Sequence, residues 1–317
     1  SSDVCSSDLM AHNNVGLSLC MIGLFLLFFP WLVTQGLRYQ FLMTEINNVR
    51  FSFYASPLRA WWVMLGCPLL IMTVSVVVFS LFMSSTISMG SYTAIIVGIG
   101  IGTLALLLGS AIMQGVYTAQ WYGMLVNNLQ YGTQKFAATY SIKKCIWIAL
   151  CSMLLLFPFL ALSLFIIVPA FYTLMQYSQV VGDSPEQLAV LAGPFYGKMA
   201  LAYVIYLFGI IVCFMYAFVK MRNYVYGQIS LAGHIRFSST VTLGRVLWLS
   251  ITNTLVCMIT LFLAYPWAKV RFTRYVLENT HVHGELQNLT LENHGQQPAK
   301  DPANLLARGL SFFPAVF

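Results

Sequence analysis

Six long stretches of this chain contain no Asp, Glu, Lys or Arg at all: Val15–Val33, Trp61–Met83, Tyr92–Ala119, Cys145–Leu174, Met199–Val219 and Val246–Ala268. At 1.5 Å per helical residue, each is long enough to cross about 30 Å of hydrocarbon. Composition points the same way. Apolar residues make up 59% of the chain and charged ones 8%, where a soluble domain carries roughly 25% charged residues. A water-exposed globule cannot hide that much apolar surface, so lipid has to be the solvent. The expected fold is an all-α polytopic transmembrane bundle of about six hydrophobic segments. A soluble enzyme, a disordered chain and a nucleic-acid-binding domain are excluded. The formal charge of +7 is spread thinly over several loops, whereas nucleic-acid recognition needs a dense basic patch.

The basic residues alternate with the spans. Arg38, Arg50 and Arg59 follow the first segment, Lys135, Lys143 and Lys144 the third, and Lys220, Arg222, Arg236 and Arg245 the fifth. The positive-inside rule puts these three loops in the cytoplasm. Lys269, Arg271 and Arg274 follow the sixth segment, which simple parity would leave outside. Either Val246–Ala268 spans against the rule, or it is re-entrant, with Asn253, Thr254 and Thr260 satisfying a broken backbone. In the fourth segment, Pro158 and Pro169 are expected to kink or tilt an overlong helix.

The three basic loops are copies of one another: RFSFYASPLRAWW, KFAATYSIKKCIW and RFSSTVTLGRVLW. They share a basic residue followed by Phe, then Ser or Thr, a second basic residue and Trp. The matched positions are Arg50, Phe51, Ser56, Arg59, Trp62; Lys135, Phe136, Ser141, Lys144, Trp147; and Arg236, Phe237, Thr242, Arg245, Trp248. Asn47, Gly132 and Gly233 turn the chain ahead of each copy. A short extended piece then carries the Phe, and Ser or Thr caps the next helix. Trp anchors at headgroup depth, and the second basic residue reaches lipid phosphate. Neighbouring copies are separated by enough chain for two spans, which places all three on one face. Arg274, Tyr275, Asn279, Thr280 and Gly284 repeat the spacing of Arg38, Tyr39, Met43, Thr44 and Asn48, so the tail belongs on that face too. Such repeats form a platform for anionic headgroups or a partner, or they preserve only how each helical hairpin enters the membrane.

Little else carries chemistry. Six cysteines lie in or beside apolar segments without CxxC or Cys/His spacing. His281 and His283 lack a ligand signature and read as solvated tail residues, so neither metal nor cofactor is expected. Gly98 and Gly102 form GxxxG in a glycine-rich third segment, which suits close helix packing, or a hinge or pore-lining helix. The spans hold only Gln114, Gln120, Gln176 and Asn253 as polar residues of note, without the charge that ion-coupled pumps keep in the membrane. The expected role is therefore non-enzymatic: binding or organising anionic lipid or a partner. A passive channel or transporter for a small or hydrophobic solute is the alternative. By organisation, residues 1–9 (SSDVCSSDL) read as a foreign leader, 10–285 as the multi-span domain and 286–317 as a polar tail.

The segments GLRYQFLMTEINNVRFSF, RFSSTVTLGRVLW, LAYPWAKVRFTRYVLENT and ARGLSFFPAVF resemble the YjgN-like family of bacterial inner-membrane proteins, a domain of unknown function. The resemblance covers essentially everything after Met10. It implies a multi-pass inner-membrane protein, and a further N-terminal copy of the repeat in typical members. No activity, substrate or site residue comes with it.

Overall fold

The computed structural model describes residues 15–46, 48–88, 92–181 and 185–284; the expected leader and the polar tail from residue 286 lie outside them. Long helices alternate with short hairpins in a fixed order. Helix α1 (Val15–Met43) is followed by strands β1 (Glu45–Ile46) and β2 (Val49–Phe53), then by α2 (Pro57–Ser88) and α3 (Tyr92–Asn127). Strands β3 (Leu129–Tyr131) and β4 (Gln134–Ala138) lead into α4 (Ile142–Val181) and α5 (Pro185–Gln228). Strands β5 (Ile229–Leu231) and β6 (Ile235–Ser239) precede two shorter helices, α6 (Leu243–Ile259) and α7 (Tyr265–Glu278), and a last strand, β7 (Thr280–His283).

Among the described residues, five helices are long and apolar enough to cross a membrane: Cys20–Met43, Pro57–Ser88, Gly98–Asn127, Ile142–Thr173 and Phe195–Gln228. Their outward side chains are apolar and exposed, Phe165 at 76% and Phe214 at 67% among them, as expected where lipid replaces water. Pro158 and Pro169 both sit inside α4. Between them, the Ser163 hydroxyl ties α4 to α5, 3.1 Å from the Ala202 carbonyl.

Glycine sets the closest helix approaches. A Cβ at Gly98 would lie 2.6 Å from Thr86 Oγ1, and one at Gly102 would lie 2.8 Å from the Phe79 ring. Gly109 faces Ser75 on the same stripe, whereas Gly100 faces open space. The stripe therefore joins α3 to α2. On another side of α3, a Cβ at Gly115 would meet the Ile146 backbone of α4 at 2.5 Å.

The sixth apolar segment is not one helix. It breaks at Thr260, and α7 returns against α6 so that β7 reaches the same sheet as the earlier hairpins. The break is a complete C-terminal cap: Phe262 N–H donates to the Cys257 carbonyl at 2.7 Å, and Leu261 N–H to Met258 at 3.2 Å. This is the Schellman pattern, here with Leu261 at φ 49° where glycine is usual. Asn253 Nδ2 donates to the Ala268 carbonyl, and the Thr260 hydroxyl accepts from Ala264 N–H. Of the polar residues singled out from the sequence, Thr260 thus satisfies the broken backbone, whereas Asn253 bonds a carbonyl inside α7 and ties it to α6. Leu261 and Leu263 at the tip are 84% and 85% exposed.

Candidate functional site

Each motif copy folds as an antiparallel hairpin, and the hairpins join edge to edge. The result is one seven-stranded sheet in the order β1-β2-β3-β4-β5-β6-β7, across one end of the bundle. The equivalence is visible in the register. Glu45 pairs with Arg50, Gln130 with Lys135 and Ser230 with Arg236. Between repeats, Phe51 pairs with Tyr131, Phe136 with Leu231 and Phe237 with Val282. The sheet is the element that the sequence spacing showed only as short extended pieces.

Because strand side chains alternate, each basic–Phe pair splits across the sheet. Phe51, Phe136 and Phe237 share one face, packed with Val49, Tyr131, Leu231 and Ile235. Their rings form a ladder, with centroids 6.4 Å apart for Phe51–Phe136 and 6.2 Å for Phe136–Phe237. Arg50, Lys135 and Arg236 lie on the opposite, polar face. Arg50 Nε is 3.1 Å from Glu45 Oε2, both about 40% exposed. His283 stands opposite Arg236 and meets the Ser238 hydroxyl at 2.8 Å; His281 meets that of Thr240 at 3.3 Å.

The second half of each motif lies elsewhere, at the necks where α2, α4 and α6 leave the sheet. Arg59, Lys144 and Arg245 are exposed in the first turns. One turn on, Trp62, Trp147 and Trp248 are 49%, 65% and 64% exposed. Spacing of i and i+3 puts each cation beside its Trp on the helix surface. At the first neck the helix forms a π-turn over Trp62–Gly66, and Gly66 leaves room for the Trp62 ring folded back on it. The twelve motif residues thus form three sets, the Phe ladder on the apolar sheet face, the cations on the polar sheet face and the cation–Trp pairs at the necks, rather than one patch.

The expected Ser/Thr caps need correction. Neither Ser56 nor Thr242 makes a side-chain cap bond. At the second and third necks, tyrosines from the following repeat bond the N–H of the Ser or Thr itself. Tyr224 Oη accepts the Ser141 N–H at 2.8 Å, and Tyr275 Oη accepts the Thr242 N–H at 3.1 Å. Lys144 Nζ sits 5.6 Å from the Tyr224 ring centroid, within cation–π range. The signal was present, since Tyr39, Tyr224 and Tyr275 hold equivalent places ahead of their strands.

Two further polar features sit where the repeats meet. Arg222 is 8% exposed, stacks 4.1 Å from the Tyr226 ring and donates to Thr280 Oγ1. No carboxylate among the described residues pairs with it. Tyr140, between β4 and α4, has a hydroxyl without a partner. Burial, reinforced by Tyr122 and Tyr224, pushes that phenol well above its ordinary range and keeps it a hydrogen-bond donor.

Residues 5–304 match the model of a family described as "Bacterial protein of unknown function (DUF898)". The chain is 31% identical over 315 residues to "Inner membrane protein YjgN" of Salmonella typhimurium, covering 99% of this chain and 78% of that protein. It is also 31% identical over 297 residues to the proteins of that name from Escherichia coli O157:H7 and K12, covering 93% of this chain and 74% of each. No solved structure matches it. With five apolar helices long enough to span and relatives named as inner-membrane proteins, the chain is a bacterial inner-membrane protein and belongs to the DUF898 family.

Proposed function

We propose that the protein is a non-enzymatic inner-membrane component that gathers anionic phospholipid around the necks of its repeat sheet, with that sheet in the cytoplasm. The observation that carries this reading is the threefold pairing of an exposed cation with an exposed Trp at Arg59/Trp62, Lys144/Trp147 and Arg245/Trp248. Trp favours the headgroup boundary, and a basic residue near an anionic leaflet contributes about 1 kcal/mol. Sidedness follows from the positive-inside rule applied to the same loops. The glycine stripe of α3 supports lipid organisation over a solute path, because Gly98 and Gly102 press on Thr86 and Phe79 of α2.

The test is lipid retention. Full-length protein is extracted gently and its bound phospholipid quantified by class, with and without Arg59→Gln, Lys144→Gln and Arg245→Gln together. A selective fall in anionic lipid supports the reading; an unchanged lipid profile sinks it.

A further inference from the structure

Between the first neck and the second repeat lies a cleft of about 290 Å³, at the lower end of the range for small-ligand sites. One wall is the first turns of α2, with Arg59 and Trp62. The other is α3 and the junction after β4, with Gln120, Gly123 and Tyr140. Two of these side chains hold buried polar atoms without a partner: Gln120 Oε1 and Tyr140 Oη. Gln120 spends its amide on a weak 3.8 Å contact to Cys67 Sγ. Asn127, also in the lining, is already committed to the Ala138 N–H. Unsatisfied buried polar atoms are uncommon and costly. Both side chains line this cleft beside an exposed guanidinium, so a side-chain rotation that turns either orphaned atom into it would satisfy that atom with a polar ligand.

The position is a feature of the repeat. A second cleft of about 270 Å³ is lined by Gln35, Arg38, Phe53 and Ala55, which stand in the first repeat where Gln120, Gly123, Ala138 and Tyr140 stand in the second. At the last junction the equivalent of Gln120 is Arg271. It donates to Asn253 Oδ1 at 3.2 Å, and Asn253 takes the place of Cys67. There a protein cation fills the inter-repeat space that Gln120 leaves open.

We propose that the Arg59–Gln120–Tyr140 cleft binds one phosphate ester that also bears a hydroxyl, as in a phosphoglycerol headgroup. Deepening the neck reading at one of its three sites, the assignment follows from donor and acceptor chemistry. Arg59 and the Tyr140 hydroxyl are donors and suit phosphate oxygens. Gln120 Oε1 is an acceptor and requires a ligand hydroxyl. A headgroup with phosphate alone satisfies only the first pair. Trp62 on the rim sets the cleft at headgroup depth, and this favours a lipid as the source over a free phosphate ester.

The test uses native mass spectrometry and thermal unfolding of the full chain, delipidated and then titrated with phosphatidylglycerol, phosphatidylcholine or free glycerol phosphate. Gln120→Leu and Tyr140→Phe leave every neck cation in place. Expected is one phosphatidylglycerol per chain held selectively, weakened about tenfold by either variant, while Lys144→Gln with Arg245→Gln lowers total anionic retention but spares this single mass. Free glycerol phosphate binding with the same sensitivity to both variants supports the cleft and assigns it a soluble ester. If the cleft is empty, removing orphaned polar atoms raises the thermal midpoint of both variants and leaves phosphatidylglycerol binding unchanged. That result overturns the proposal, whatever the neck variants do.

Discussion

Replacing Phe136 by Ala removes the middle ring of the sheet's apolar ladder. Truncating a fully buried Phe costs about 3–5 kcal/mol, and Phe136 is half-buried, so about half of that applies. Its ring contacts Phe51 on one side and Phe237 on the other, and such aromatic pairs add about 0.5–1.5 kcal/mol. The expected loss is about 3 kcal/mol, confined to the sheet because the ladder does not touch the midspan helix contacts. Hydrogen exchange in detergent micelles reads it directly. Amides of β3 to β6 should exchange about 100-fold faster, since each 1.4 kcal/mol is a factor of ten, while α4 and α5 midspan amides stay protected. Double-mutant cycles sharpen the point. Phe136 should couple to both Phe51 and Phe237, whereas Phe51 and Phe237, on either side of it, should be additive. Exchange that changes less than threefold, or strong direct coupling of Phe51 to Phe237, would refute the ladder.

Three further substitutions probe separate parts of the fold. Leu261 occupies the left-handed region at φ 49°, which costs an L-residue about 1–2 kcal/mol; Leu261→Gly should slow local opening of the α6–α7 turn in hydrogen exchange, and faster opening would count against the cap. Gly115→Ala drives a Cβ into the Ile146 backbone, so chemical unfolding in mixed micelles should show a loss of about 1–3 kcal/mol, while Gly100→Ala, which meets nothing within 4 Å, should be nearly neutral. Burial raises the Tyr140 phenol above its ordinary value of 10.0. The folded chain therefore keeps that proton where the unfolded chain loses it, so stability is unaffected well below pH 10 and falls as pH rises beyond it. Tyr140→Phe should flatten that alkaline decline; an identical decline in the variant would exclude Tyr140 as its source.

The helices were legible because lipid demands long runs without charge, and α2 to α5 write that demand plainly. Their ends were not. Helices α4 and α5 run to 40 and 44 residues, because each continues past its apolar core toward the sheet at one end and further still at the other. The motif located all three hairpins, and the adjacent basic and Phe residues carried the period-two alternation that splits them across the faces. What spacing could not show was that strands of two to five residues pair between repeats, since that pairing is non-local and each strand is too short for a periodic signal. The sixth segment was ambiguous for a related reason. Its break falls at Thr260–Ala264 without a glycine, and the polar residues before it, the cations behind it and the repeated spacing of the tail pointed to a return without locating the turn. Gln120 stood out as a polar residue in an apolar helix, yet its role depends on Tyr140 and Arg59, which only the inter-repeat packing brings to one cleft.

The three motif copies meet edge to edge in one sheet. Paired cysteines across a repeat boundary test it most directly. Ala137 lies opposite Ser230 on the polar face, within reach of a disulfide between directly paired strand residues. Ala137→Cys with Ser230→Cys in intact membranes should cross-link rapidly under mild oxidation. Ala137→Cys with Leu231→Cys, one register away and on the opposite face, should not. Equal cross-linking of both pairs, or none of the first, would contradict the shared sheet.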